Sequence, residues 1–497
     1  MKYLQKLKEE LRPIYCLRAV SELLSWDQET YMPIGAASAR AEQAAAVSKI
    51  SHNLFCNPAM GELIGNAKAE IEDSQSEDAH LVRLAALEYE RESKVPAELV
   101  SKLSEACSKA QTAWVEARAK GKFSLMQNEL ADVVSYTREC AEFYGYKDHI
   151  YNAMLEYYEP GTAVAQLDKV FAELRPHLVT LAAQIKEAQT QPHGLWKQKY
   201  PIKQQRIFAN LISSSMGYSW EHGRTDDVVH PFCCSFSTRD VRITNTYKEY
   251  EPTRSLFTAL HETGHALYEQ GSPERWQHTP LEGGTSMGWH ESQSRLWENI
   301  VGRSLPFWEY FYPRYKELFS EQLETCDLMQ FYRAINEVKP SFIRTEADEV
   351  TYNLHVMLRY ELEKALLDGS LQVTDIPEAW NESMKSYLGI IPAHDGEGCA
   401  QDVHWPMGLI GYFPSYALGN IRSAQVWETL RRDLPDIDKE LRRGNLLLIR
   451  DWMADHVYCW GRRLLPNELQ MQVVGAELNA LPFVRYLETK YTDIYKL

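Results

Sequence analysis

A mainly α-helical fold is what this chain of 497 residues predicts, and three observations predict it. Apolar residues recur every three or four positions over most of the length, glycines and prolines fall at the ends of those stretches, and one segment alone alternates. The pattern is that of one large helical domain over residues 1–497, with helical lobes over about 1–220 and 250–497 around a cleft and a small β element at about 228–247.

In chain order, Leu4, Leu7, Leu11 and Ile14 open a first helix that Pro13 should bend or restart. Helices follow over 36–50, 79–89 and 96–120, the last with Pro96 suited to a first turn and Gly121 to a stop. Another long helix is expected over 164–189 with Pro176 inside it, then one over 202–216 ending at Gly217. Residues 228–247 are rich in Val, Ile, Thr, Phe and Tyr, and Asp240-Val241-Arg242-Ile243-Thr244 nearly alternates, which predicts a strand or hairpin. Such an edge can hold an extended peptide by its backbone. Residues 283–288 read as a flexible glycine loop, with helices resuming over 291–305, 308–323 and 328–367, the last closed by Gly369. Residues 390–414, rich in Gly, Pro and aromatics, read as an ordered loop region.

A composition of 44% hydrophobic and 25% charged residues is ordinary for a globular chain with a large core. No apolar run reaches the ~18 residues of a membrane span. The formal charge of −16, with no basic cluster able to track a phosphate backbone, argues against nucleic acid as a partner. The N-terminus lacks the apolar core of a signal peptide, and the nine cysteines contain no CxxC pair. Adjacent Cys233 and Cys234 are expected as reduced core thiols, and a cytoplasmic location is expected.

The chemistry is concentrated in His261-Glu262-Thr263-Gly264-His265. Residues i and i+4 share a helix face, so both imidazoles can bind one ion, and Glu262 can take a proton from water that the ion acidifies. A catalytic zinc keeps three protein ligands. A His six residues past the motif would serve, but Gly271 stands there. His278 lacks helical context, whereas Glu291 opens the next helix and is the better third ligand. Glu269, one turn past His265, is a competing carboxylate that could instead form a surface salt bridge. Glu298, two turns past Glu291, could orient a His or pair with Arg295. Gly264 costs a helix about 1 kcal/mol relative to Ala, so close packing is expected there. A His2Glu site suits zinc and admits cobalt.

Motifs elsewhere fall in a fixed order around this one: Ser25 to Thr30, His230-Pro231-Phe232, Asp240/Arg242/Thr244, His290 to Gln293, Ile343 to Asp348, and Gly398/Gln401/Asp402/His404/Trp405. With them the chain resembles the carboxypeptidase Taq (M32) metallocarboxypeptidase family over nearly its full length. The resemblance implies a helical fold with a deep active-site groove and a small sheet beside the HExxH helix. It further implies zinc or cobalt dependence, homodimers, and removal of single C-terminal residues with broad specificity from peptides with a free C-terminus, proline being a poor substrate. It would make His261, His265 and Glu291 the ligands and Glu262 the base.

A free C-terminal carboxylate calls for a cation of good geometry, and Arg344 is the candidate, against the alternative of an ion pair with Asp348. His404 and His230 are candidate donors to that carboxylate or to an oxyanion, while Tyr412 and Tyr416 are candidate oxyanion donors from a loop over the cleft. Arg242 and Asp402 are expected to tie the strand to the late loop. An oligopeptidase of the same chemistry and a metal-stabilised scaffold remain the competing functions, and an intact Glu262 argues against the scaffold.

Overall fold

The computed structural model describes residues 2–188 and 194–497, which are mainly helical. The first helix, Lys2–Thr30, runs unbroken through Pro13 and buries Leu4, Leu7, Leu11 and Ile14 at the expected spacing. With helices Ala37–Phe55, Pro58–Ala69 and Glu77–Lys94 it shares a small apolar core of its own. The main core runs from Ala117 to Tyr495 and joins residues of both expected lobes, Phe171 and Leu174 beside Trp297 and Leu358. Helix Ala97–Lys120 stops at Gly121 and Ile202–Met216 at Gly217, both glycines left-handed as their places require. The helix starting at Val164 ends at Glu187, and the expected end at Gln189 lies outside the described residues.

The expected helix over 328–367 is two helices, Leu328–Ile335 and Tyr352–Asp368. The first is capped at Asn336, and Pro340, which lacks an amide hydrogen and disfavours a helical residue before it, lies in the stretch between them. The excursion carries Arg344 on a 3-10 turn, and Asp348 accepts hydrogen bonds from the backbone of Val350 and Thr351 at 3.0 Å.

Three strands form the sheet: β1 (Thr225–Asp227), β2 (Cys233–Ser237) and β3 (Asp240–Asn245). Their order is β1-β3-β2, with β1 parallel and β2 antiparallel to β3 and an irregularity between Ser235 and Ser237. β2 and β3 fall inside the predicted segment, whereas β1 is three residues long with two aspartates, which disfavour strands, and is held by its pairing with β3. Cys233 and Cys234 are free thiols, as are all nine cysteines, and both are half-buried on β2 and line the cleft; Cys233 also packs against the small apolar cluster of Tyr218, Val241, Ile243 and Ala266. No helix among the described residues is long and apolar enough to cross a membrane.

Three helices meet behind the cleft: Pro252–Gln270, Met287–Arg295 and Phe413–Asp433. Glycines set their approach. A Cβ on Gly264 would lie 2.8 Å from the carbonyl oxygen of Gln293, and one on Gly419 would lie 2.6 Å from Cβ of Glu291. The close packing expected at Gly264 is thus backbone against backbone.

Candidate metal centre

Helix Pro252–Gln270 starts with Pro at its first position and keeps the HExxH residues on one face toward the cleft. Ser286 caps the next helix by accepting from the amide of Trp289, and this presents Glu291. One ligand atom each from His261, His265 and Glu291 lies within 4.8 Å of the others. Nε2 of His261 is 3.6 Å and Nε2 of His265 3.4 Å from Oε2 of Glu291. Ligand bonds of about 2.05 Å in a tetrahedron put donors about 3.3 Å apart, so the spacing fits a first-row divalent ion.

Neighbours fix the donors. Nδ1 of His261 bonds Oε2 of Glu298 at 2.8 Å, which leaves Nε2 facing the common point. Arg295 donates to Oε1 of Glu291 at 2.9 Å and to Glu298 at 3.2 Å, so Glu298 does both of the jobs weighed for it. A π-helical turn over Leu296–Val301 follows the ligand helix and carries Glu298, in place of the continuous helix to 305 expected from the sequence. Burial pushes the His265 pKa down to about 4, and a metal ligand has to be neutral.

Glu269 does not form a surface salt bridge. It is half-buried in the cleft wall and holds Nε2 of His290 at 2.5 Å, while Nδ1 of His290 lies 3.3 Å from Nδ1 of His265. In the tautomer that frees Nε2 of His265 for an ion, His265 donates to His290 and His290 donates to Glu269. The sequence reading gave His290 and Glu269 no such role; the one signal was that His290 adjoins Glu291. Glu269 also accepts from the amide of Gly284, and Thr285 bonds the backbone of Leu464, so the supposedly flexible loop 283–288 is pinned.

Glu262 lies inside this cluster. Burial, reinforced by the carboxylates of Glu291 and Glu298 and opposed by His261, raises its pKa to about 7, and its Oε2 is buried with no hydrogen-bond partner. It shares with the ligands a cleft of about 760 Å³, a volume suited to a peptide-sized ligand. Cys233 to Phe236 of β2, Tyr412 and Tyr416 line the same cleft. The two tyrosines come not from a loop but from the cap and first turn of helix Phe413–Asp433, and burial holds both phenols protonated.

Behind Tyr416 lies a charged cluster. Arg344 and Arg359 both pair with Asp402, at 2.9 and 2.6 Å, and Arg344 also donates to the Tyr352 hydroxyl at 2.7 Å. The partner of Arg344 is therefore Asp402, not Asp348, because Asp348 caps its own turn. Arg242 pairs with Asp240 two residues away, so it does not tie the strand to Asp402. Arg344 is 4% exposed and does not line the cleft; its guanidinium packs on the Tyr416 ring, 4.7 Å away. Nε2 of His404 is 3.1 Å from the Tyr416 hydroxyl, and burial lowers its pKa to about 3, so His404 is a neutral imidazole. His230 is exposed ahead of β2 and is not among the cleft-lining residues.

A helical scaffold carrying an HExxH helix, a carboxylate ligand from the next helix and an unpaired glutamate at their junction defines a metallopeptidase. The profile of the Carboxypeptidase Taq (M32) metallopeptidases matches residues 6–491. The chain belongs to the M32 carboxypeptidase Taq family. It is 39% identical to carboxypeptidase 1 of Bacillus subtilis, covering 96% of this chain and 95% of that one. To thermostable carboxypeptidase 1 of Pyrococcus furiosus it is 36% identical, over 98% of both. The crystal structure of the M32 carboxypeptidase from Deinococcus radiodurans superposes with a TM-score of 0.97 at 36% identity, covering 100% of both chains.

Proposed function

We propose that this enzyme is a zinc-dependent metallocarboxypeptidase that removes single C-terminal residues from peptides with broad specificity, cobalt serving as a substitute ion. The observation that carries it is the unpartnered Oε2 of Glu262 beside three converging ligand atoms, because a purely structural ion has no use for a base. When bound, the ion supplies Lewis acidity, acidifying water and polarising the scissile carbonyl.

The chain supplies the rest. Glu262 accepts the proton of the attacking water and passes it to the leaving nitrogen. Tyr412 and Tyr416, with protonated phenols facing the cleft, donate to the oxygen that gains charge in the transition state. His404 orients the Tyr416 hydroxyl. β2, the outer strand that lines the cleft, holds the peptide backbone in extended form.

Exopeptidase action is supported by a charge imbalance. Two buried guanidinium groups, Arg344 and Arg359, share the single carboxylate of Asp402. The uncompensated positive charge behind Tyr416 favours a substrate carboxylate at that end of the cleft, Arg344 acting through the Tyr416 ring rather than by contact. One peptide prepared free, N-acetylated and C-amidated tests the whole reading. Cleavage of the first two but not the amide is expected. Equal cleavage of the amide would make the enzyme an oligopeptidase, and no cleavage of any form by the metal-loaded protein would make it a scaffold.

A further inference from the structure

Outside the cleft, one more group of metal-ligating side chains converges among the described residues. His52 lies in helix Ala37–Phe55, Cys56 is that helix's C-cap, and Glu92 belongs to helix Glu77–Lys94; one ligand atom from each lies within 4.8 Å of the others. We propose that His52, Cys56 and Glu92 form a second transition-metal site, of the kind zinc occupies, separate from the catalytic centre.

The geometry repeats that of the first centre. His52 and Cys56 are four residues apart, as are His261 and His265, so their side chains share one helix face. In each case a carboxylate from another helix completes the set. In each case also an arginine holds one carboxylate oxygen and leaves the second for the ion. Arg18 bonds Oε1 of Glu92 at 2.6 Å, as Arg295 bonds Oε1 of Glu291 at 2.9 Å. Oε2 of Glu92 then lies 3.8 Å from Sγ of Cys56. Bonds of about 2.3 Å to sulfur and about 2.1 Å to oxygen set that separation at about 3.6 Å in a tetrahedron.

The local backbone keeps the donors in place. The amide of Cys56 donates to the carbonyl of His52 at 2.8 Å, which closes the helix and fixes one residue over the other. Arg18 is immobilised as well: it pairs with Glu88 at 2.8 Å and stacks on the rings of Tyr15 and Phe55. Its charge no more excludes an ion than that of Arg295 does at the first centre. A sulfur, nitrogen and oxygen donor set selects zinc or cobalt over magnesium and calcium. Because His52 is exposed, the fourth position is open to solvent.

The test is cobalt loading of the full chain after chelation. The first centre has no sulfur ligand, so thiolate-to-cobalt charge-transfer absorption in the near ultraviolet reports the second site alone. Two equivalents of cobalt with that absorption are expected for the wild type. Cys56→Ser and the surface variant His52→Ala should each bind one equivalent, lack the absorption and keep turnover. A single equivalent in the wild type, or near-ultraviolet absorption that survives Cys56→Ser, would overturn the proposal and reduce the cluster to a thiol–carboxylate hydrogen bond.

Discussion

Glu298 accepts a hydrogen bond from Nδ1 of His261 at 2.8 Å, and this bond decides which imidazole nitrogen faces the metal position. Removing such a partner costs roughly 10–100-fold in metal affinity. Glu298→Ala should therefore bind zinc within that range more weakly, measured by competition with a chromophoric chelator. Unchanged affinity would mean that packing alone orients His261.

Glu262→Gln keeps the size of the side chain and removes the base. Turnover should fall by about 10²–10⁴-fold while metal content and fold stay the same. Full turnover with full metal content would refute its role.

Arg344→Ala should lower kcat/KM for peptides with a free C-terminus by the equivalent of ~2–4 kcal/mol. Residual cleavage of amidated peptides should change little. An equal loss on both substrates would leave Arg344 only the structural pairing with Asp402.

Glu363 is buried and accepts from Tyr151, Trp405 and the amide of Gly411, yet burial outweighs these bonds and raises its pKa to about 7. A carboxyl raised above its unfolded value of about 4.3 favours the folded state while protonated. That contribution is complete below about pH 4.3 and is lost as pH rises through about 7, a total of about 4 kcal/mol. Glu363→Gln does not titrate. The thermal midpoint of the wild type should fall relative to this variant between pH 5 and pH 8, and parallel curves would contradict the shift.

Gly264→Ala would raise helix propensity by about 1 kcal/mol at an ordinary position. Here the new methyl meets the backbone of Gln293 and Ser294 at 2.8 Å, which cannot turn aside. A net loss of about 1–2 kcal/mol is expected, read from denaturant midpoints together with weaker metal binding, because the helix presenting Glu291 must move. A more stable variant would show that the helices separate freely.

The ligand set was legible because i,i+4 spacing is a local property, and Glu291 stood out by opening the next helix. Asp402 as the partner of Arg344 was not legible: 58 residues separate them, and no local pattern encodes a contact across that distance. The role of His290 was hidden for another reason. Its adjacency to Glu291 is plain, but its ring meets His265 and Glu269 only once two helices pack through Gly264. The division of the helix expected over 328–367 was not legible either, because apolar periodicity continues on both sides of the segment 336–351 and no local periodicity marks the break. Pro340 lies inside that segment, but Pro13 and Pro176 sit within unbroken helices.

Glu159 is fully buried, accepts from the amide of Gly288 at the start of the Glu291 helix and pairs with Arg422 at 2.7 Å. Every metal ligand of the catalytic centre comes later in the chain than this residue. The ion-binding part of the chain is therefore tied to the N-terminal third through this one buried carboxylate. A fragment beginning after Glu159 would contain His261, His265 and Glu291 yet leave Arg422 an unneutralised charge in the interior, at a cost of about 3–5 kcal/mol. Such a fragment should take up no zinc in equilibrium dialysis, so possession of the catalytic ion reports that the N-terminal third is present and docked.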